Sequence, residues 1–221
     1  MLPLVPELDG EGHRRLADSI TAAVAASGLP HVVVLSAIGA DLTEGTGPIL
    51  WLRHFEEQLR ATGTQVTALR APHFQEKVEE LLDVVTHEGL YPVFADSADV
   101  PIPMVATRDV GAAAAQYLLS PPASGRAIEL EAPSYTEREV AGMLGQLLGR
   151  RLEVATLPRE AWLDTLIAAG TPVSIAADLV ELYAAGEQGL LVARGDQRHF
   201  CTTGIDQTLR EVLTVGEPSL G

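Results

Sequence analysis

Apolar residues recur along the chain at two alternating spacings, which predict helices followed by strands. Residues 13–27 carry apolar residues at helical spacing and end at Gly28. Residues 31–36 form a short, nearly continuous apolar run, which is typical of a buried strand. The same order returns in a helix at 50–62 and a strand at 65–70.

Later segments continue this order less regularly. The prolines of 90–94 and 100–105 predict edge strands or loops rather than central strands. The capping boxes Ser134/Glu137 and Thr136/Glu139 predict a helix start, and 187–205 is expected to be turn-rich. Further helices are predicted at 74–88, 108–119, after Pro158, at 173–186 and near 205–213, and further strands at 126–132 and 151–157.

Helix–strand alternation with continuous apolar strands predicts an α/β fold, in which a parallel sheet is covered by helices. In such sheets, ligands bind outside the carboxyl ends of the strands. The segments that follow the first two strands are "SAIGA" and "RAPHF", so residues 36–40 and 70–74 are the first places to look for a site.

Charge and composition exclude several classes of partner. The formal net charge is −15, which argues against nucleic acid and anionic membrane surfaces. No apolar run approaches the roughly 18–20 residues that a membrane span needs. Cys201 is the single cysteine, so no internal disulfide can form, and a reducing cytoplasm is the expected compartment.

A search for chemical motifs finds no phosphate-binding loop and no metal site. Gly142, Gly145 and Gly149 lie within or at the end of a predicted helix, where they favour packing and a helix cap. No histidine pair has metal-ligand spacing. His54 and Glu57 are one helical turn apart, and an exposed polar face is favoured over a metal or acid–base pair.

An ordered set of segments nevertheless resembles the NmrA-like proteins, which are atypical relatives of the short-chain dehydrogenase/reductases. The resemblance covers nearly the whole chain. It rests on the order and spacing of "HVVVLSAIGA", "EEQLRATG", "VTALRAPHF", "IPMVATRDVGAAAAQYLL" and "IELEAPSYTEREVAGMLGQLLGRRLEV".

The resemblance implies a Rossmann-like sheet that binds NADP or NAD, with a smaller C-terminal part over the cofactor. On that basis, residues 1–132 are the C-terminal portion of an NAD(P)-binding domain. Residues 133–221 are a small α+β part, mainly helical and on the substrate side, with a final helix. Members of the family include NAD(P)H-dependent reductases and redox regulators that bind the nucleotide without turnover.

The chain departs from the family pattern in two respects. The opening strand and Gly-x-x-Gly-x-x-Gly turn of the family are absent, and "MLPLVPEL" resembles the tail of the fourth family strand. The sheet is therefore expected to be partial, apparently truncated, with weak or no NAD(P) binding by this chain alone. Exposed apolar surface is expected along helix 13–27 and strand 31–36. The Tyr-x-x-x-Lys pair of dehydrogenases is also absent, since Tyr91 and Lys77 lie on other elements.

The resemblance, together with the helix that borders the loop after the first strand, gives candidate site residues, each of which has a structural alternative. Ser36 could cap a loop, Phe74 could be core, and Trp51 and His54 could serve only packing or solvation. His73 is the favoured polar group facing the substrate. The candidates are Ser36, Ala37, Ile38, Pro72, His73 and Phe74 for the cofactor, and Trp51, His54, His73 and Lys77 for the substrate.

Three functions stay open at this point. The first is an NAD(P)H-dependent oxidoreductase acting on a small-molecule substrate. The second is a non-catalytic, nucleotide-binding redox regulator. The third is an inactive remnant, stabilised by a homo-oligomer or another partner that covers the open edge of the sheet.

Overall fold

The computed structural model describes residues 8–195 and 197–215. Most of the N-terminal stretch that resembles a fourth family strand, residues 1–7, lies outside them. The helices are α1 (Gly10–Ser27), α2 (Ile49–Ala61), α3 (Leu82–Glu88), α4 (Thr107–Leu119), α5 (Glu137–Leu147), α6 (Arg159–Ala168), α7 (Val173–Glu187) and α8 (Ile205–Val215). The strands are β1 (His31–Ala37), β2 (Gln65–Ala71), β3 (His73–Phe74), β4 (Leu90–Val93), β5 (Ile102–Val105), β6 (Arg126–Glu131), β7 (Ser134–Tyr135), β8 (Glu153–Thr156) and β9 (Arg198–Phe200).

A four-stranded parallel sheet in the order β1-β2-β6-β9 forms the centre of the fold. Helices α1 and α2 cover one face, where Val34 and Ala68 join their core. Helix α4 covers the other face, against Leu69 and Ile128. The predicted α/β architecture with a parallel sheet is confirmed.

Two small sheets join strands from both sides of residue 132. Strand β4 pairs with β8, and β5 lies between β3 and β7. A third core cluster, which includes Tyr91, Leu144 and Leu209, packs around these strands, α5 and α8. The boundary at residue 132 therefore stays a prediction, since the strands next to it are shared.

Three local predictions differ from the structure. Residues 74–88 are not one helix, because His73–Phe74 pairs with β5 and a 3₁₀ segment, Gln75–Leu81, precedes α3. The buried Gln75 side chain fixes that segment by donating to the carbonyls of Met104 and Thr203. Strand β5 is the middle strand of its small sheet although it contains a proline, and strand β9 interrupts the predicted turn-rich tail.

Among residues 8–195 and 197–215, no helix is both long and apolar enough to cross a membrane. Helix α1 begins earlier than its apolar pattern indicated, because the side chain of Asp9 accepts a hydrogen bond from the Gly12 amide. The apolar side chains Leu16, Ile20 and Val24 of this helix are half-buried rather than fully exposed.

Candidate active site

A polar row crosses the central sheet near the carboxyl ends of its strands. Ser36 of β1 is in register with Arg70 of β2, and Arg70 is in register with Glu129 of β6. In-register residues of parallel strands share a face, so these side chains lie on the side covered by α2. The preceding row on this face is apolar and includes Val34 and Ala68. The change from apolar to polar marks the carboxyl edge, where α/β sheets bind ligands.

Arg70 is held by a buried ion pair with Glu56 of α2. Its Nε donates to Glu56 Oε1 at 3.1 Å and its Nη2 donates to Oε2 at 2.9 Å, while Arg60 also donates to Oε2 at 2.6 Å. Burial by itself raises the pKa of Glu56, but the hydrogen bonds and charge of Arg70 outweigh it and lower that pKa. Glu56 therefore carries a negative charge at neutral pH.

A second set of contacts ties the C-terminal part to the same row. The Glu129 carboxylate accepts hydrogen bonds from the backbone amides of Arg194 at 3.0 Å and Gly195 at 2.7 Å. Asp41, in the loop after β1, lies 3.7 Å from Arg70 Nη1 and 3.7 Å from Arg194 Nη1. The row is thus enclosed by α2, the loop after β1 and the segment after α7.

Helix α7 packs closely on the loop after β1. Gly47 has φ of 53°, and a Cβ built on it would lie 2.0 Å from the carbonyl oxygen of Asp178. The Gly47 amide donates to the Glu181 carboxylate at 3.1 Å. The loop at the carboxyl end of β1 is therefore covered by helix α7.

The predicted cofactor residues come together at this edge. The amide of Ile38 donates to the Ala71 carbonyl at 3.0 Å, which joins the segments after β1 and β2. Ser36 is 3% exposed, and its Oγ has no hydrogen bond of ordinary geometry, although the hydroxyl is near enough to Glu56 to help lower that pKa. Ala37, Pro72 and Phe74 are half-buried.

His73 is the exposed member of this group. Its side chain keeps contact with solvent, yet desolvation by the surrounding chain and the nearby charge of Lys77 lower its pKa. The ring is therefore neutral at pH 7 and can accept as well as donate a hydrogen bond. Lys77 itself donates to Glu80 Oε2 at 2.6 Å.

Two predicted substrate residues lie between helices instead. Trp51 is 6% exposed and stacks on the buried His13, with ring centroids 3.9 Å apart. His54 Nε2 lies 2.7 Å from Asp18 Oδ1, across the contact between α2 and α1. These contacts explain both residues through helix packing, and a substrate role for them stays a prediction without structural support.

The tyrosine and lysine of a dehydrogenase-type pair are not brought together. The hydroxyl of Tyr91, on β4, donates to Glu137 Oε2 at 2.7 Å. Burial, followed by the neighbouring Glu137 charge, raises the pKa of Tyr91 far above its usual range. Tyr91 is therefore a buried structural donor and is not poised to release a proton at neutral pH.

The described residues fit only part of NAD(P), the group that the resemblance implies. A diphosphate needs free amides at a helix N-terminus. Here the Asp9 carboxylate occupies the start of α1, and Glu181 accepts the Gly47 amide just before α2. The diphosphate therefore does not fit these two helix starts. The edge around Ser36 and His73 offers neutral polar atoms that suit a nicotinamide ribose.

Within the described ranges, no cluster of metal-ligating side chains occurs.

Sequence reasoning did not single out Arg70, Glu56 and Glu129. One signal was available, because Arg70 is the only charged residue in the run "QVTALRA" and stands where that strand approaches its end. Glu56, in contrast, lies within the polar stretch "EEQLR" and has the pattern of a solvated helix face.

Comparison with known proteins decides the family. The NmrA-like family matches residues 13–208. The chain belongs to the NmrA-like family. The NAD(P)H azoreductase of Xenophilus azovorans is 23% identical over 183 residues, which is 82% of this chain. The chain spans 62% of the length of that curated relative.

Solved structures of this fold include two reductases. The NADPH-dependent quinone oxidoreductase of Escherichia coli, in complex with NADPH, is 20% identical with a TM-score of 0.76. It aligns over 91% of this chain and 72% of its own. The triphenylmethane reductase of Citrobacter sp., in complex with NADP(H), is 20% identical with a TM-score of 0.75, over 94% and 74% of the two chains. At these identities the likeness establishes the Rossmann-like fold alone.

Proposed function

We propose that this NmrA-like protein supplies the nicotinamide and substrate side of an NAD(P)H-dependent reductase. The observation that carries the proposal is the polar row Ser36–Arg70–Glu129, set at the carboxyl edge of a parallel sheet and covered by the C-terminal part. When bound, NAD(P)H supplies a hydride. The relatives named above act on azo compounds, quinones and triphenylmethane dyes, so a conjugated, electron-accepting small molecule is the proposed substrate class.

In this proposal, the residues of the edge have separate roles. Ser36, Ala37 and Ile38 face the nicotinamide ribose, and Pro72 and Phe74 form the apolar wall beside it. His73, neutral and exposed, hydrogen-bonds the substrate. Arg70 does not contact the ligand, because Glu56 occupies its guanidinium; the pair fixes the end of β2 relative to α2.

The chain by itself is proposed to hold the nucleotide weakly. The diphosphate carries negative charge, while the net charge of the chain is −15 and carboxylates stand at the starts of α1 and α2. A diphosphate-binding element in addition to the described residues would complete the site. We also propose a cytoplasmic location, which the single, buried and free Cys201 supports.

The test is the reduction of an azo dye, a quinone and a triphenylmethane dye, with NADPH or NADH as donor. The rate is measured from the absorbance of the nucleotide. We expect oxidation of the nucleotide that depends on the acceptor. At the lower end of the usual KM range, which is about 1 μM–1 mM, the rate of oxidation should still rise with nucleotide concentration and should not saturate. Binding of the nucleotide with no oxidation by any acceptor would contradict the reductase.

A second candidate, a redox regulator that binds the nucleotide without turnover, is favoured by one observation. Tyr91 is buried against Glu137 and Lys77 is paired with Glu80, so neither is free to transfer a proton at the edge. For the regulator, NADPH and NADP+ should bind with different affinities, and a change in oligomeric state or partner binding should accompany the exchange.

A further inference from the structure

The segment that begins at His73 lies beside a second surface, which the end of β4 and helix α7 form. Val78 of the 3₁₀ segment and Val93 of β4 belong to the same core cluster. Phe94 follows Val93 and is therefore near that segment. Its ring packs on the ring of Tyr183 of α7, with ring centroids 5.2 Å apart. The end of β4, helix α7 and the segment after His73 thus come together.

Helix α7 connects this surface to the carboxyl edge of the central sheet. The backbone nitrogen of Leu182, the residue before Tyr183, lies 3.3 Å from a Cβ built on Gly47, in the loop after β1. At the end of the helix, Glu187 accepts a hydrogen bond from the Asp96 amide at 2.5 Å. Tyr183 is therefore held between the loop after β1 and the residues that follow β4.

The charge of Glu80 acts on both Tyr183 and His73, which supports their closeness. Desolvation by the surrounding chain, followed by the Glu80 charge, raises the pKa of Tyr183 to about 12. The same carboxylate acts on His73, although desolvation and the charge of Lys77 outweigh it and lower that pKa. The Tyr183 hydroxyl therefore keeps its proton at neutral pH and can donate a hydrogen bond.

The Tyr183 hydroxyl has no hydrogen-bond partner among residues 8–195 and 197–215. By contrast, the hydroxyls of Tyr91, Tyr117 and Tyr135 each contact a partner, at 2.7, 3.4 and 3.2 Å. Tyr183 is half-buried, and its hydroxyl is not among the fully enclosed polar atoms. A tyrosine with a packed ring and a free polar tip suits a binding surface, where a ligand can supply the missing partner.

We propose that Tyr183 and Phe94 form the subsite that selects the electron acceptor, and that this acceptor is a planar aromatic compound with a carbonyl oxygen, such as a fused quinone. The inference rests on the proposed reductase function and narrows its substrate class. The two rings form an apolar wall for the acceptor, and the Tyr183 hydroxyl donates a hydrogen bond to its carbonyl oxygen. A site that bonds a polar substrate atom disfavours analogues that lack this atom.

Equilibrium dialysis without nucleotide tests the subsite apart from hydride transfer. The two probes are dimethylnaphthoquinone, whose methyl groups block addition of a thiol, and dimethylnaphthalene. They share the fused rings and differ in the carbonyl oxygens. We expect the wild-type protein to bind the quinone, and a dialysis that detects no binding of it would overturn the proposal.

Two variants separate the hydroxyl from the rings. Tyr183→Phe removes a hydroxyl that no described residue bonds, so native circular dichroism is expected. It should weaken binding of the quinone about fivefold and leave binding of dimethylnaphthalene unchanged. Phe94→Ala should weaken binding of both probes several-fold, because it removes part of the wall. The matched controls, Tyr117→Phe on α4 and Phe200→Ala at a position 71% exposed on β9, should change neither.

Quinone binding that is equal in the wild type and in Tyr183→Phe would overturn the proposal. If Tyr183→Phe fails to fold, the infrared carbonyl band of the quinone bound to wild-type protein decides. A shift to lower wavenumber than in an aprotic solvent supports the hydrogen bond, and an unshifted band overturns it.

The result can be told apart from that of the reductase test. Quinone binding that depends on Tyr183, in a protein that oxidises no nucleotide, would support the subsite and contradict the reductase. Quinone reduction that Tyr183→Phe leaves unchanged would support the reductase and overturn the subsite.

Discussion

Strand β1 borders two regions that differ in how their polar groups are bonded. At its carboxyl end, Ser36 belongs to a row in which the charged side chains have partners within the chain, through Glu56 and the amides of Arg194 and Gly195. Along its outer edge, the side chains are apolar and the backbone groups of Val33 and Leu35 have no strand to bond among the described residues. Among the described residues, the charged groups of the row are paired, whereas the backbone groups on the outer edge of β1 are not bonded to another strand.

The difference shows where each kind of contact has its effect. The buried ion pair fixes one arrangement of β2 and α2, because an unpaired charge there is costly. Strand β1 carries no lysine, arginine or carboxylate along its outer edge, so changes there remove no buried ion pair. Variants of the carboxyl edge should therefore change stability or ligand binding.

The largest effect is expected from Glu56→Gln. It leaves the buried Arg70 guanidinium without its counter-charge, and we expect a loss of about 3 kcal/mol in the free energy of unfolding, measured with urea. Glu57→Gln is the control, because Glu57 is exposed and pairs with Arg53 on the same helix. That change should stay within about 0.5 kcal/mol. Equal effects of the two variants would contradict the buried pair.

The next largest effect is expected from Gly47→Ala, which should push helix α7 away from the loop after β1. Its Cβ would lie 2.0 Å from the Asp178 carbonyl, at a residue with positive φ, so we expect destabilisation by about 2 kcal/mol or more. Gly45→Ala has a positive φ but no atom within 4 Å, so strain alone should cost about 1 kcal/mol. A Gly47 variant no worse than the Gly45 variant would mean that α7 does not pack here.

Stability should also depend on pH through Glu56. Its pKa is lower in the folded chain than in the unfolded chain, so the folded state binds fewer protons. This contribution is fully present above the ordinary glutamate pKa of about 4.3 and is lost as the pH falls through the lowered folded value. The stability gap between wild type and Glu56→Gln should therefore narrow on acidification, as followed by urea unfolding at several pH values. A gap that widens toward low pH would contradict the assignment.

The smallest effect on stability is expected from His73→Ala. The side chain is exposed, so unfolding should change by less than about 0.5 kcal/mol. Loss of one hydrogen bond to the substrate should lower kcat/KM about tenfold, measured with the acceptor that the wild type reduces best. His87→Ala, on the exposed face of α3, is the control. Equal activity of the two variants would remove His73 from the site.

The fold was largely predictable because its signals are local. Helical spacing, Gly28 and the Thr136/Glu139 capping box set the boundaries of their elements, and the capping box forms as predicted. Strand β9 and the 3₁₀ segment after Phe74 could not be predicted, since both depend on partners far away in sequence. Glu129 lies beside β9, and Thr208 donates to the buried Gln75.

The candidate site was predictable in position but not in chemistry. The carboxyl ends of β1 and β2 follow from the strand pattern, so Ser36 and His73 could be proposed as candidates from the sequence. Glu56 was not, because whether a carboxylate within "EEQLR" is solvated or buried depends on how α2 rotates against the sheet. Trp51 was placed in the site because its helix borders the loop after β1, although its ring packs against His13 between two helices.

The central claim is that the described edge recognises a nicotinamide ribose and not a diphosphate. The direct measurement is a fluorescence titration of the protein with NADPH and, in parallel, with reduced nicotinamide riboside, which lacks the diphosphate. We predict weak binding of both, with dissociation constants within several-fold of each other and both weakened by His73→Ala. A low-micromolar constant for NADPH together with far weaker binding of the riboside would contradict the account.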